Sequence, residues 1–248
     1  MDSKKRMSRR EFLVSAGGAA AGLALASTGL GALAPSAGAA GREIPEYPWV
    51  EYFDKPLDVE KVREMGVQFF SEGQGCCEAA FRAITTALGE PFNLIPAEMM
   101  NFGKAGVVGW GSLCGALNGA AAAVGLVFGR SQQATAIINE VVGWYCQTAL
   151  PLNAEVKSVS DSPLCHVSIS RWVKASGMKA SQRGPRCGAL TGDVAAQTAL
   201  YMNEVLAGTF VPVIAMSEET KACYDCHVGG FVDDTIGKMD CAPCHEGH

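Results

Sequence analysis

The run Leu113-Cys114-Gly115-Ala116-Leu117-Asn118-Gly119-Ala120-Ala121-Ala122-Ala123-Val124-Gly125-Leu126-Val127-Phe128 decides the fold. It carries no charge and shows no two-residue alternation, so it reads as a very apolar helix. Gly115, Gly119 and Ala122 or Ala123 are small residues that let another helix approach closely. A membrane span needs about 20 apolar residues, and this run is short and stopped by Gly129-Arg130. A buried central helix is expected.

Toward the C-terminus, Ser131 is expected to cap a helix that stops at Leu150-Pro151. Ser162-Pro163 reads as a cap followed by proline at the first helical position, opening a helix that runs to Ser176 and stops at Gly177. After a loop at Arg183 to Arg186, a last helix is predicted from about Cys187 to Ala207. Its inner face holds Leu190, Val194, Thr198, Tyr201 and Val205.

Toward the N-terminus, Gly103 to Gly111 is a glycine-rich loop and a short helix starts at Pro96. The helix before it spans about Gly75 to Leu88, with Cys77, Phe81, Ile84 and Leu88 on one stripe, and ends at Gly89 and Pro91. Asp58 caps an earlier one, with Val59, Val62, Gly66 and Phe69 or Phe70 on one face and a break at Gly73 and Gly75. Residues 41–57 form an extended lead-in rich in Pro, Tyr and Trp. No segment alternates, so no sheet is expected. Residues 58–208 read as an all-α domain of about six helices. Residues 209–248 read as an irregular tail, with four of the ten cysteines, three of the four histidines and little apolar periodicity.

A hydrophobic share of 48% and a charged share of 18% exclude a disordered chain. Five basic and two acidic side chains stand in the first 39 residues, leaving 15 basic against 23 acidic beyond. An acidic mature chain argues against a nucleic-acid partner.

Residues 1–40 read as an address. Lys4, Lys5 and Arg6 precede Ser8-Arg9-Arg10-Glu11-Phe12-Leu13, then a weakly apolar, glycine-rich run to Leu33 and a small-x-small site at Ala37-Gly38-Ala39. The arginine pair resembles a twin-arginine signal, which implies export of a folded, cofactor-loaded protein to the periplasm. An uncleaved anchor is the competing reading. After cleavage no stable membrane span is expected.

The tail repeats one motif. Cys223-Tyr224-Asp225-Cys226-His227 and Cys241-Ala242-Pro243-Cys244-His245 are both C-x-x-C-H. Cysteines three apart can form thioethers to the two vinyl groups of one haem, and the next histidine is then delivered to the iron. Two covalent haem c groups are expected, on Cys223, Cys226, Cys241 and Cys244, with His227 and His245 as axial ligands. A zinc or dithiol site competes, but two copies ending in histidine behind an export signal weigh against it.

Two six-coordinate irons need four axial ligands. The remaining histidines are His166 and His248, so bis-histidine ligation would use every histidine in the chain. Met216 and Met239 compete. His248 follows His245 by three residues, which span at most roughly 10 Å. That is too short to wrap round one porphyrin. His248 is therefore expected on the other haem or on a haem of a second subunit.

Cys76, Cys77, Cys114, Cys146, Cys165 and Cys187 remain. An oxidising compartment favours disulfides. Against that, folded export suggests a cofactor loaded in the cytoplasm. Cys76, Cys114, Cys165 and Cys187 also fall at or within the first turn of a helix, where the helix dipole lowers a thiol pKa. These four are the expected ligands of an iron–sulfur cluster, with disulfides or redox thiols as the alternative. Cys77 and Cys146 read as small buried hydrophobes, either of which could replace one of the four.

Glu72-Gly73-x-x-Cys76, Leu113-Cys114-Gly115-Ala116-x-x-Gly119 and single Cys165 and Cys187 resemble the bacterial C-GCAxxG-C-C redox-active proteins, over about residues 58–208. The order here is Cys-Gly-Ala where the family pattern has Gly-Cys-Ala. With the two haem motifs, the whole chain resembles the split-Soret cytochromes c of sulfate-reducing bacteria. That resemblance implies a homodimer with two closely stacked bis-histidine haems per subunit and an iron–sulfur centre. It also implies that one haem takes an axial ligand from the partner subunit. A two-iron cluster is the favoured form.

The reading that follows is periplasmic electron transfer, with unidentified redox partner proteins. Four histidines for four axial positions leave none to act as acid or base, which favours transfer over catalysis. The alternative is an oxidoreductase whose cluster or cysteine pair is the reaction site, fed by the haems.

Overall fold

The computed structural model describes residues 45–229, 232–241 and 245. The expected signal at 1–40, Cys244 and His248 lie outside them. The described residues hold seven α-helices: α1 (Val59–Ser71), α2 (Cys76–Leu88), α3 (Gly115–Phe128), α4 (Gln132–Gln147), α5 (Cys165–Ser176), α6 (Gly184–Leu206) and α7 (Glu218–His227). They contain two isolated β-bridges and no named strand, so the fold is all-α.

α3 is the centre, as its composition dictates. Ala116, Leu117, Ala120, Ala123, Val124 and Val127 are all buried, and α2, α4 and α6 pack round it. No described helix is long and apolar enough to cross a membrane. Small residues set the spacing. A Cβ on Gly119 would overlap the Cys77 carbonyl, so α3 lies directly on the α2 backbone. α1 meets α6 through a glycine pair, where a Cβ on Gly66 would come within 2.9 Å of Gly192 Cα.

The expected caps at Asp58 and Ser131 are present: each side chain accepts from the backbone N–H three residues on, at 3.1 Å. Two helix starts differ from expectation. α5 begins at Cys165 rather than at Pro163, because Leu164 is drawn into a bridge with Leu113. The Ser162 hydroxyl caps nothing helical and accepts from Leu164 N at 3.2 Å. α6 begins at Gly184, with Pro185 in its first turn, so the expected loop at Arg183 to Arg186 is mostly helix.

The described residues belong to one compact unit beginning at Pro45. Its lead-in is stapled to the core. Trp49, Phe53 and Leu57 are buried, and Asn203 clamps the Leu57 backbone through N–H and C=O at 2.7 and 2.8 Å.

The tail is more ordered than expected. Ser217 caps α7, accepting from Thr220 N at 3.1 Å. The tail is also tied down. Buried Glu140 accepts from Val213 N at 3.0 Å and Ile214 N at 2.7 Å. Asn139 donates to Ile214 O and accepts from Lys238 Nζ, and Ser162 donates to the Met239 thioether at 3.6 Å.

Candidate functional site

Four helix starts meet at one place. Cys76 is the first residue of α2, Cys114 the cap residue of α3, Cys165 the first residue of α5, and Cys187 lies in the first turn of α6. The bridge explains part of this convergence. Cys114 N donates to Pro163 O at 2.9 Å and Cys165 N to Ser112 O at 2.7 Å, which ties the start of α3 to the start of α5. Gly115 is required here, because a Cβ on it would overlap Cys76 Sγ.

All four cysteines line one cavity of about 520 Å³. Among the described residues, no three His, Cys, Asp or Glu side chains are set to hold a single metal ion. The sulfurs stand round a volume and do not close on a point.

The cavity is cationic. Lys104, Arg183 and Arg186 line it, and four helix N-termini face it. Arg186 is 7% exposed and donates from Nη2 to Ser168 Oγ at 2.7 Å, while its Nε has no partner. Gln74 Oε1 is also buried without a partner at this wall. Such orphaned groups mark a place where a further group belongs.

The thiols do not behave as their helix positions suggested. Burial, then repulsion from Cys114 and the other sulfurs, pushes the Cys76 thiol up to about 12. Cys165 is pushed up to about 11 by the same causes. Cys187 is raised too, since burial outweighs the neighbouring Arg186. Desolvation and mutual repulsion thus overcome the helix dipole. Converging thiols held protonated for want of a counter-charge are what a sulfur-bound cation relieves, releasing protons as it binds. The donor set therefore fits an iron–sulfur group.

Cys77 and Cys146 do not line the cavity. Cys77 is wholly buried under Gly103. Cys146 is half-buried, and burial followed by Asp240 and Asp161 pushes it up to about 12, which places it toward the tail.

In the tail, α7 carries Cys223, Cys226 and His227, with the cysteines one turn apart. The chain then folds back, with Asp234 N and Thr235 N donating to His227 O at 3.1 and 3.2 Å. This sets Asp234 Oδ1 2.7 Å from His227 Nδ1. A metal bound by this imidazole would be taken at Nε2, with the carboxylate fixing the tautomer. The Cys241 thiol is raised by burial and then by Cys223, which places the first cysteines of the two motifs near each other. His245 donates its backbone N–H to Cys241 O at 3.0 Å and is exposed. Val228, Val232 and Ile236 are exposed round the motifs, Ile236 at 95%, an apolar surface that fits a large apolar group such as haem.

His166 follows Cys165 on α5, with its backbone N–H on Gly111 O at 3.0 Å and its side chain exposed. Four residues escaped the sequence reading: Tyr145, Ser168, Arg186 and Asp234. Ser168 lies one turn after Cys165 and Arg186 beside Cys187, a faint local signal. Asp234 is seven residues from His227, beyond the end of α7 and across a turn, and nothing marked it.

Over residues 75–201 the chain matches the family described as "Putative redox-active protein (C_GCAxxG_C_C)". The split-Soret cytochrome c of Desulfovibrio desulfuricans (strain ATCC 27774 / DSM 6949 / MB) is 33% identical over 266 residues, or 96% of this chain and 94% of that one. A solved structure of the split-Soret cytochrome c from Desulfovibrio desulfuricans ATCC 27774, reported for a novel iron centre, matches with a TM-score of 0.71. Its identity is 33%, covering 78% of this chain and 90% of that chain.

Proposed function

We propose, from the premise that this chain belongs to the split-Soret cytochromes c and, over residues 75–201, to the C_GCAxxG_C_C family, that it is a periplasmic dihaem electron-transfer protein with an iron–sulfur cluster in its helical domain. One observation carries the reading: four cysteines from four separate helix starts line one cationic cavity, in the same compact unit as two C-x-x-C-H motifs whose first cysteines lie near each other. Haem and an iron–sulfur cluster supply one-electron storage when bound.

The residues have distinct roles. Cys76, Cys114, Cys165 and Cys187 hold the cluster, with Lys104, Arg183 and Arg186 offsetting its negative charge. Cys223 and Cys226 anchor one haem, Cys241 and Cys244 the other. His227 and His245 give the near axial nitrogens, and His166 and His248 complete the four. Glu140 and Asn139 keep the tail against the helical domain.

The shortness of the link from His245 to His248 supports a homodimer in which an axial ligand crosses to a haem of the other subunit. The signal-like start at Arg9-Arg10 supports twin-arginine export to the periplasm. The oxidoreductase reading has one observation in its favour: exposed Ser181 and Gly109 stand in the cavity wall, so the site opens to solvent.

The test is total iron per covalent haem in the matured protein. A two-iron cluster beside two haems gives about two, and a four-iron cluster about three. A ratio of about one removes the cluster and leaves the six cysteines as thiols or disulfides.

A further inference from the structure

Tyr145 stands late in α4, 1% exposed, in the apolar core. A buried phenol needs a partner for its hydroxyl. Its hydroxyl lies 2.8 Å from Ser168 Oγ, and the residue lines the cavity together with Cys114. Ser168 is itself buried and accepts from Arg186 Nη2 at 2.7 Å. Arg186, Ser168 and Tyr145 thus form one hydrogen-bonded line, drawn from α6, α5 and α4, that ends in the cavity lined by Cys114 at the cap of α3.

The state of the sulfur decides which way the protons point. A guanidinium only donates, so Ser168 must accept from Arg186. With a thiol at Cys114, whose sulfur is only a weak acceptor, Tyr145 donates to Ser168 instead. A thiolate only accepts, and the line becomes consistent. Arg186 donates to Ser168, Ser168 to Tyr145, and Tyr145 to sulfur, so each hydroxyl gives one bond and takes one. Bonds aligned this way polarise one another.

We infer that Tyr145, oriented by Ser168 and Arg186, donates a hydrogen bond to the metal-bound sulfur of Cys114 and thereby sets the potential of the cavity's iron group. The inference rests on the cluster reading above. The three are positioning residues and none ligates metal. A donor on a ligand sulfur favours the more negative, reduced state, so its loss lowers the potential.

The experiment uses the full-length, haem-loaded protein. Tyr145→Phe removes the donor and keeps the ring. Non-haem iron and haem potentials should stay unchanged. The cluster's oxidised-to-reduced ratio at the parent midpoint should rise about tenfold, equivalent to about 59 mV downward for one electron. Ser168→Ala should shift it less, in the same direction, and add nothing to Tyr145→Phe in the double variant, because the line is already cut. An unchanged cluster potential in Tyr145→Phe, or additive shifts in the double variant, overturns the inference. If Tyr145→Phe does not accumulate, Ser168→Ala decides alone, and no shift there overturns it. An iron-to-haem ratio of about one in the unsubstituted protein sinks the cluster reading instead, and is read before any substitution.

Discussion

Replacing Asp234 by asparagine removes one charge beside an axial imidazole and keeps the shape of the contact. The His227 Nδ1 to Asp234 Oδ1 distance is 2.7 Å, the length of a charge-assisted bond. Such bonds contribute about 1.5–3 kcal/mol against about 0.5–1.5 for neutral ones, so the charge adds about 1–1.5 kcal/mol when shielded from water. The side chains are 57% and 25% exposed, and solvent screening takes roughly half of that. About 0.5–0.8 kcal/mol remains, which is about 20–35 mV for one electron. The sign follows from charge. A carboxylate behind the ligand favours the ferric state, so Asp234→Asn raises the midpoint of the haem held by His227. The assay is a spectroelectrochemical titration of the holoprotein at low salt, with covalent haem content measured beside it. One of two midpoints should rise. A fall, or both midpoints within about 10 mV of the parent with haem content intact, would refute the orienting role of Asp234.

Glu140→Ala removes two charge-assisted bonds to Val213 N and Ile214 N, a local loss of about 3–6 kcal/mol. Limited proteolysis should then cut within residues 209–217 before the helical domain, and a tail as resistant as the parent's would count against the strap. Gly119→Val drives a side chain into the Cys77 carbonyl, where backbone cannot yield, and should cost about 3 kcal/mol. A lower thermal midpoint is expected, and an unchanged one would mean α2 and α3 can separate freely. Replacing Arg9 and Arg10 together by lysine should abolish mature holoprotein, if the helical domain loads its cluster before export and the tail takes haem afterwards. Mature protein with both cofactors would break that order.

Much of the fold was legible because it rests on local rules. The uncharged run at 113–128 had to be buried, and its glycines had to mark close approach. Asp58, Ser131 and Gly177 act as caps through their own backbone neighbours, which sequence spacing encodes. The start of α5 was misplaced for a tertiary reason. Leu164 is held by Leu113, fifty residues away in sequence, and no local pattern at Ser162-Pro163 reveals that.

The same division runs through the site. The sequence by itself carried the expectation of haem attachment in the tail, because C-x-x-C-H works through adjacent residues whose spacing is legible locally. It also picked out the four cysteines at helix starts. Only the tertiary structure decided that these four line one cavity, since four helices must be packed before their ends can meet. Tertiary packing also raised the thiols of Cys76 and Cys165, because desolvation is a property of the packed interior. Tyr145, Ser168, Arg186 and Asp234 joined the site for that reason. Each acts across space on a group remote in sequence or hidden within a helix, and a hydrogen bond of that kind exists only once the chain has folded.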